Sequence, residues 1–310
     1  METKLFVGVD ISKDSLDVAI GPQTDIITFS NDQNGVDTLV KKLSRMNPEL
    51  TVFESTGGYE LLAASLLVEA GLAVVIVNPR QVRNFAKATG ILAKTDAIDA
   101  RVIARFAEAV KPDVRPLKDH ATSDLTALVT RRRQIIEMIV AVSNRLKLSN
   151  KRNKKDIKDH IRWLEKRLDK IETDIGKTIQ NSPIWRCKDN ILRSVPGIGP
   201  ITSATLICDL PELGVLSSKK IAMLAGLAPL NCDSGKFRGR RRIWGGRASV
   251  RSGLYMATLA AIRCNPAIKG FYQRLITAGK CHKVAATACM RKLLIIVNEM
   301  LRDQTLWQQN

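Results

Sequence analysis

The sequence is poor in the residues that build zinc sites and membrane spans. None of the six cysteines, Cys187, Cys208, Cys232, Cys264, Cys281 and Cys289, forms a C-x-x-C pair, and only His120, His160 and His282 stand beside them. That pattern argues against a Cys/His zinc site and leaves the thiols as small buried hydrophobes of a reducing compartment. The longest apolar stretch, Leu61 to Val77, is broken by Ser65, Glu69 and Gly71, and METKLFVGVD lacks the basic-then-apolar layout of a signal peptide. A cytoplasmic protein with no membrane partner is expected. Trp163, Trp185, Trp244 and Trp307 are too scattered for a base-stacking platform, although Trp244 beside Arg242 is placed to stack on a nucleotide.

A further absence concerns charge of one sign. Residues 234–298 contain 14 Lys and Arg and not one Asp or Glu. Residues 1–110 hold 11 basic against 14 acidic side chains, a net of −3, so of the total of +19 the rest of the chain carries +22. Such segregation is the footprint of a polyanion-binding half; a solvated basic face is the plain alternative.

What is present divides the 310 residues into three expected units. Short apolar or alternating runs at Phe6–Val9, Leu16–Ile20 and Ile26–Phe29, separated by turns such as Gly21-Pro22, read as a strand meander. Helix at Gly35–Leu43, strand at Leu50–Phe53, helix at Tyr59–Ala70, strand at Ala73–Val77 and helix at Asp96–Val110 then alternate. This predicts an α/β domain over 1–112 with a mixed sheet. In 113–181, Ile135, Ile139, Val142 and Leu146, then Ile157, Ile161, Leu164, Leu168, Ile171 and Ile175, step by three and four as in a coiled-coil seam of long helices, which fixes no partner. Residues 182–310 read as a mostly α-helical domain, interrupted by a loop around the arginines and Gly245-Gly246.

Four carboxylates form the first candidate site. Asp10 ends FVGVD and Glu54 ends TVFES, so on adjacent parallel strands both emerge at one sheet edge; Asp96 and Asp99 sit three apart at a helix start. Each alone has a structural explanation, as a helix cap or a turn residue. Together they offer the hard anionic oxygens that Mg²⁺ (or Mn²⁺) requires. A second candidate is SVPGIGPITSATLI, where Gly197 and Gly199 bracket Ile198 as in a helix-hairpin-helix segment that meets phosphate through backbone N–H groups, or as in a plain core turn. A third is NCDSGKFRGRRRIWGGRASVR, where Ser234 and Gly235 precede Lys236, Arg238, Arg240, Arg241, Arg242, Arg247 and Arg251. By composition it is a phosphate-binding loop, with a nucleophilic Ser234 as the sharper alternative. Tyr255 is a poorer nucleophile candidate, because His282 is not followed by the H-x-x-R arginine of tyrosine recombinases, and it reads as helix packing.

The blocks VGVDISKDSLDVAI, VFESTGGYE, VIVNPRQVRNFAKATG and AKTDAIDARVIARF, with GLAPLNCDSGKFRGRRRI and LYMATLAA, resemble those of insertion-sequence transposases related to the Piv pilin invertase, across nearly the whole chain. The resemblance implies a RuvC-like, RNase H-type first domain whose DEDD tetrad falls on Asp10, Glu54, Asp96 and Asp99. It also implies a second domain whose serine nucleophile falls on Ser234. It implies donor and target DNA, an element-encoded bridge RNA and a homo-oligomer, dimer or tetramer, as partners. The rival readings are a metal-dependent junction endonuclease, in which water attacks, and a non-catalytic basic nucleic-acid-binding protein.

Overall fold

A computed structural model describes residues 4–21, 25–91, 96–114, 120–231, 233–234, 237–239 and 241–308, with backbone only for residues 96, 97, 120, 237 and 238. The chain forms two compact units, Met1–Leu117 and Lys118–Asn310.

The first unit is built on one five-stranded sheet in the order β3-β2-β1-β4-β5. The strands are β1 (Phe6–Ile11), β2 (Ser15–Ile20), β3 (Ile26–Ser30), β4 (Leu50–Glu54) and β5 (Val74–Val77). The meander β1-β2-β3 is antiparallel, whereas β4 and β5 run parallel to β1. Side-chain alternation sorts each strand into two faces. On one face Val7, Val9, Ile11, Leu16 and Val18 pack with α1 (Gln33–Met46) and α2 (Leu61–Glu69). On the other, Phe6, Leu50, Val52, Val75 and Val77 are covered by α3 (Pro79–Ala88) and α4 (Asp96–Val110). Apolar residues on both faces explain why β4 and β5 read as near-continuous hydrophobic runs.

The mixed sheet expected from the alternation of strand and helix is therefore present. Three details differ from the sequence reading. The helix expected from Tyr59 begins at Leu61, because Gly57 and Gly58 (φ +72° and +111°) turn the chain first. β1 continues one residue past Asp10. Helix α3 was not anticipated, although Asn78 caps it by accepting from Arg80 N at 2.9 Å and Pro79 opens it.

The second unit is helical. α5 (His120–Leu148) and α6 (Lys154–Asn181) pack antiparallel, burying Ile135, Val142 and Leu164 along a seam that Ile139, Ile157, Ile161 and Leu168 complete. Arg132 Nε and Nη2 grip Glu172 at 2.8 and 2.7 Å. The seam is thus satisfied within the chain, a choice the periodicity alone left open. Its base, through Leu125, Val129, Ile175 and Ile179, joins one large core with α7 (Pro183–Ser194), α8 (Pro200–Asp209), α9 (Ser218–Leu224), α10 (Ala248–Cys264), α11 (Pro266–Thr277) and α12 (His282–Asp303). Among the described residues no helix is long and apolar enough to cross a membrane.

The segment expected as a loop contains short strands. Pro229–Leu230 (β6) pairs antiparallel with Arg242–Ile243 (β9), and Asp233–Ser234 (β7) with Phe237–Arg238 (β8). The registers Pro229↔Ile243, Leu230↔Arg242, Asp233↔Arg238 and Ser234↔Phe237 define two short antiparallel pairs, nested in sequence and termed the ribbon.

Candidate functional site

Register places the first two carboxylates. β1 and β4 pair Gly8 with Val52 and Val9 with Phe53, so Asp10 and Glu54 come next on neighbouring strands, whose spacing is about 4.8 Å. Alternation sets both on the face that carries Gly8 and Val52, under α4.

α4 brings the other two. An added Cβ on Gly8 would lie 2.2 Å from Ala104 N and 2.4 Å from Ala100 O, so helix and strand backbones touch there. Farther along α4, Phe106 and Ala107 share the cluster of Phe6, and Lys111 Nζ lies 5.4 Å from the Phe6 ring centroid. The helix therefore runs antiparallel to β1, and its first turn, with Asp96 and Asp99, points to the Asp10 end. Asp10, Glu54 and Asp99 are all half-buried. The Asp96 side chain lies outside the described residues.

A fifth carboxylate escaped the sequence reading. Asp17 pairs directly with Asp10 across β1–β2, so Asp17, Asp10 and Glu54 form a row across three strands on one face. Thr28, its partner on β3, donates its hydroxyl to Asp17 Oδ1 at 2.6 Å. The signal was there in the alternation of SLDVAI, but it acquires meaning only from the hairpin register.

This donor set suits a hard divalent cation, since its ligands are carboxylate oxygens without sulfur or imidazole. Among the described residues no three His, Cys, Asp or Glu side chains are gathered tightly enough to hold an ion as they stand.

In the second unit the PGIG turn separates its glycines by role. Gly197 has φ +104°, and an added Cβ would sit 2.6 Å from Ala261 Cβ, so packing on α10 demands a glycine there. Buried Asn265 holds the same turn, donating to Pro196 O at 3.4 Å, and Ser203 Oγ donates to buried Asp189 at 2.6 Å. Gly199, just ahead of α8, meets nothing within 4 Å, leaving that helix start open to approach.

Ser234 is exposed near the end of the ribbon, and Gly239 N donates to Asp233 Oδ1 at 3.1 Å beside it. Gly235, Lys236 and Arg240, and the Arg238 side chain, lie outside the described residues. Arg241 and Arg242 are exposed, and Trp244 is 69% exposed next to them. Arg247 and Arg251 differ from these. Arg247 forms a two-pronged pair with Glu212, its Nη2 lying 2.6 Å from Oε1, and Arg251 Nη1 donates to Gly245 O at 2.6 Å. An added Cβ on Gly246 would fall 2.1 Å from Gly226 N, so the ribbon's base is a close backbone crossing that these two arginines fasten. Tyr255 lies on α10 but is 37% exposed there, so the expected packing role is not met.

A family model described as a transposase, the DEDD transposase of IS110, matches residues 7–148, and one described as the IS116/IS110/IS902 transposase family matches residues 189–273. The chain is 29% identical over 311 residues to the pilin gene-inverting protein of Moraxella bovis and 28% identical to that of Moraxella lacunata, covering 97% of both chains in each comparison. An uncharacterized 42 kDa protein of the insertion element IS900 of Mycobacterium paratuberculosis is 31% identical over 153 residues, 46% of this chain and 38% of that one. A DEDD domain of this type speaks for divalent-metal use. The chain belongs to the IS110-type transposase family and is a DNA transposase or recombinase.

Proposed function

We propose that this protein cuts and rejoins DNA strands of an insertion element through a phosphoserine link on Ser234, with Asp10, Glu54, Asp96 and Asp99 binding Mg²⁺ or Mn²⁺. The observation that carries the reading is the acid row: Asp10 and Glu54 level on adjoining parallel strands, with the Asp99 helix laid on β1 at Gly8. The strand order β3-β2-β1-β4-β5 with its antiparallel meander supports a RuvC-like, RNase H-type assignment for residues 1–112. Residues 113–181 are the long-helix unit, and residues 182–310 are the helical domain with the helix-hairpin-helix-like turn and the serine ribbon.

When bound, the metal supplies positive charge against the scissile phosphate. The carboxylates hold it in place. Ser234 Oγ forms a bond to phosphorus as the bond to the leaving strand's oxygen breaks; the serine proton is lost and the leaving oxygen gains one. Another strand's hydroxyl reverses the exchange, so the phosphodiester energy is retained and no nucleotide cofactor is needed. Lys236, Arg238, Arg240, Arg241 and Arg242 contact phosphate. Gly197 and Gly199 belong to the hairpin that meets the DNA backbone, Gly199 on its open side, while Arg247 and Arg251 hold the ribbon in place beside phosphate. Donor and target DNA are chosen with an element-encoded bridge RNA, by a dimer or tetramer in the cytoplasm.

The test is to trap the protein on a nicked suicide substrate, digest it and map the modified peptide by mass spectrometry. A nucleotide adduct on Ser234, lost with recombination in Ser234→Ala, is the expected result. Cleavage without any covalent adduct establishes the junction-endonuclease reading instead. The absence of metal-dependent nicking establishes a non-catalytic binding protein.

A further inference from the structure

The turn that follows Glu54 is held far more firmly than its own burial explains. Glu60 is 5% exposed, and its carboxylate accepts from Gly58 N at 2.9 Å, Thr56 N at 3.1 Å and Ser55 Oγ at 3.3 Å. Thr56 Oγ1 donates to the Glu54 carbonyl at 3.1 Å. Asn31 Nδ2 donates to the carbonyls of Tyr59 (3.3 Å) and Ser12 (3.0 Å), tying this turn to the one that follows β1. A carboxylate is costly to bury unless its oxygens are bonded, and here two of the three bonds come from the main chain of an exposed turn.

That turn presents its surface beside the carboxylates. Gly57 and Gly58 stand in the left-handed region, and an added Cβ on Gly57 would meet nothing within 4 Å. Tyr59 is 48% exposed, and its hydroxyl has no hydrogen bond among the described residues. Packing within the unit accounts for neither the open glycines nor the solvent-facing ring. An exposed aromatic on a turn whose main chain is held, five residues from Glu54, suits a base that has left its stack, because stacking on a ring tolerates any base.

We propose that Ser55–Tyr59 is a platform for the substrate strand: Tyr59 stacks on an unpaired base next to the phosphate held at Asp10 and Glu54, and the two glycines let that strand approach. Glu60 and Asn31 are positioning residues for it. The proposal rests on the carboxylate site of the preceding section and adds the residue that seats the nucleotide.

The experiment irradiates full-length protein, in Ca²⁺, with a single-stranded 40-nucleotide probe carrying 5-iododeoxyuridine at its thymidine positions, and maps the adducts by mass spectrometry. An adduct on Tyr59 is expected, lost in Tyr59→Leu, kept in Tyr59→Phe and reduced in Glu60→Gln. Tyr59→Ala should raise KM for nicking an unpaired substrate by roughly tenfold, as base stacking of about 1–3 kcal/mol implies, with kcat changed less than about twofold. Full cleavage by Asp10→Asn overturns the carboxylate reading and the platform with it. Loss of cleavage in Asp10→Asn with no Tyr59 adduct in wild type, or an unchanged KM in Tyr59→Ala, overturns the platform alone.

Discussion

Gly8→Ala adds one methyl group where α4 crosses β1. The new Cβ would lie 2.2 Å from Ala104 N, 2.4 Å from Ala100 O and 2.8 Å from Ile103 C, where ordinary contact begins at 3.4 Å. All three obstacles are main-chain atoms, so no rotamer change relieves them and the helix must lift by roughly 1 Å. Overpacking costs about 1–3 kcal/mol in cores that can adjust side chains. With backbone opposed, the upper end applies. The stiffer unfolded chain of alanine returns about 0.4–1 kcal/mol, leaving a net loss of about 2–3 kcal/mol. For a unit of this size that lowers the midpoint of thermal unfolding by about 10–15 °C, at a few degrees per kcal/mol. Hydrogen exchange on the full-length protein should show the loss in the amides of β1 and α4. Cleavage should fall with it, because Asp99 moves with the helix. Ala104→Gly should not rescue the variant, since the clash is with main chain. A Gly8→Ala midpoint within about 2 °C of wild type, with α4 still protected, would refute the close crossing and the placement of Asp99 that depends on it.

Charge reversal at Arg241 and Arg242, both exposed, should flatten the dependence of log K on log salt by about two phosphate contacts at roughly 0.9 each. An unchanged slope in fluorescence-anisotropy titrations places the main contacts elsewhere. Glu212→Ala leaves Arg247 without its two-pronged partner and should cost about 1–2 kcal/mol in urea unfolding; no loss would mean that the pair does not fasten the ribbon's base. Asp17→Asn keeps an acceptor for Thr28 and removes the charge opposite Asp10. It should raise metal-free stability by about 0.2–1 kcal/mol and shrink the stabilisation that Mg²⁺ adds, since like charges across a strand pair repel. Thermal shift with and without Mg²⁺ reads both, and a lower metal-free midpoint contradicts the acid row.

The sequence by itself determined the elements whose signal is local. Periodicity marked the strands and, α3 excepted, the helices of the first unit, the long seam of α5 and α6, and the helical remainder, because burial of one face writes a period of two or near 3.6 into the chain. Asp10, Glu54 and Asp99 drew notice because each lies at or near the end of such an element. Only tertiary structure decided relations between elements. The parallel β1–β4 register set Asp10 level with Glu54, and the antiparallel β1–β2 register added Asp17, which no local pattern singles out. Which partner fills the α5 seam depended on a short connection folding α6 back. Glycines carry no side chain to reveal their reason: Gly197 serves packing against Ala261, Gly8 the crossing of α4, and Gly57 an open turn, three uses that one letter cannot distinguish. Arginines are equally mute, since Arg247 and Arg242 look alike in a basic run until Glu212, 35 residues away, claims one of them.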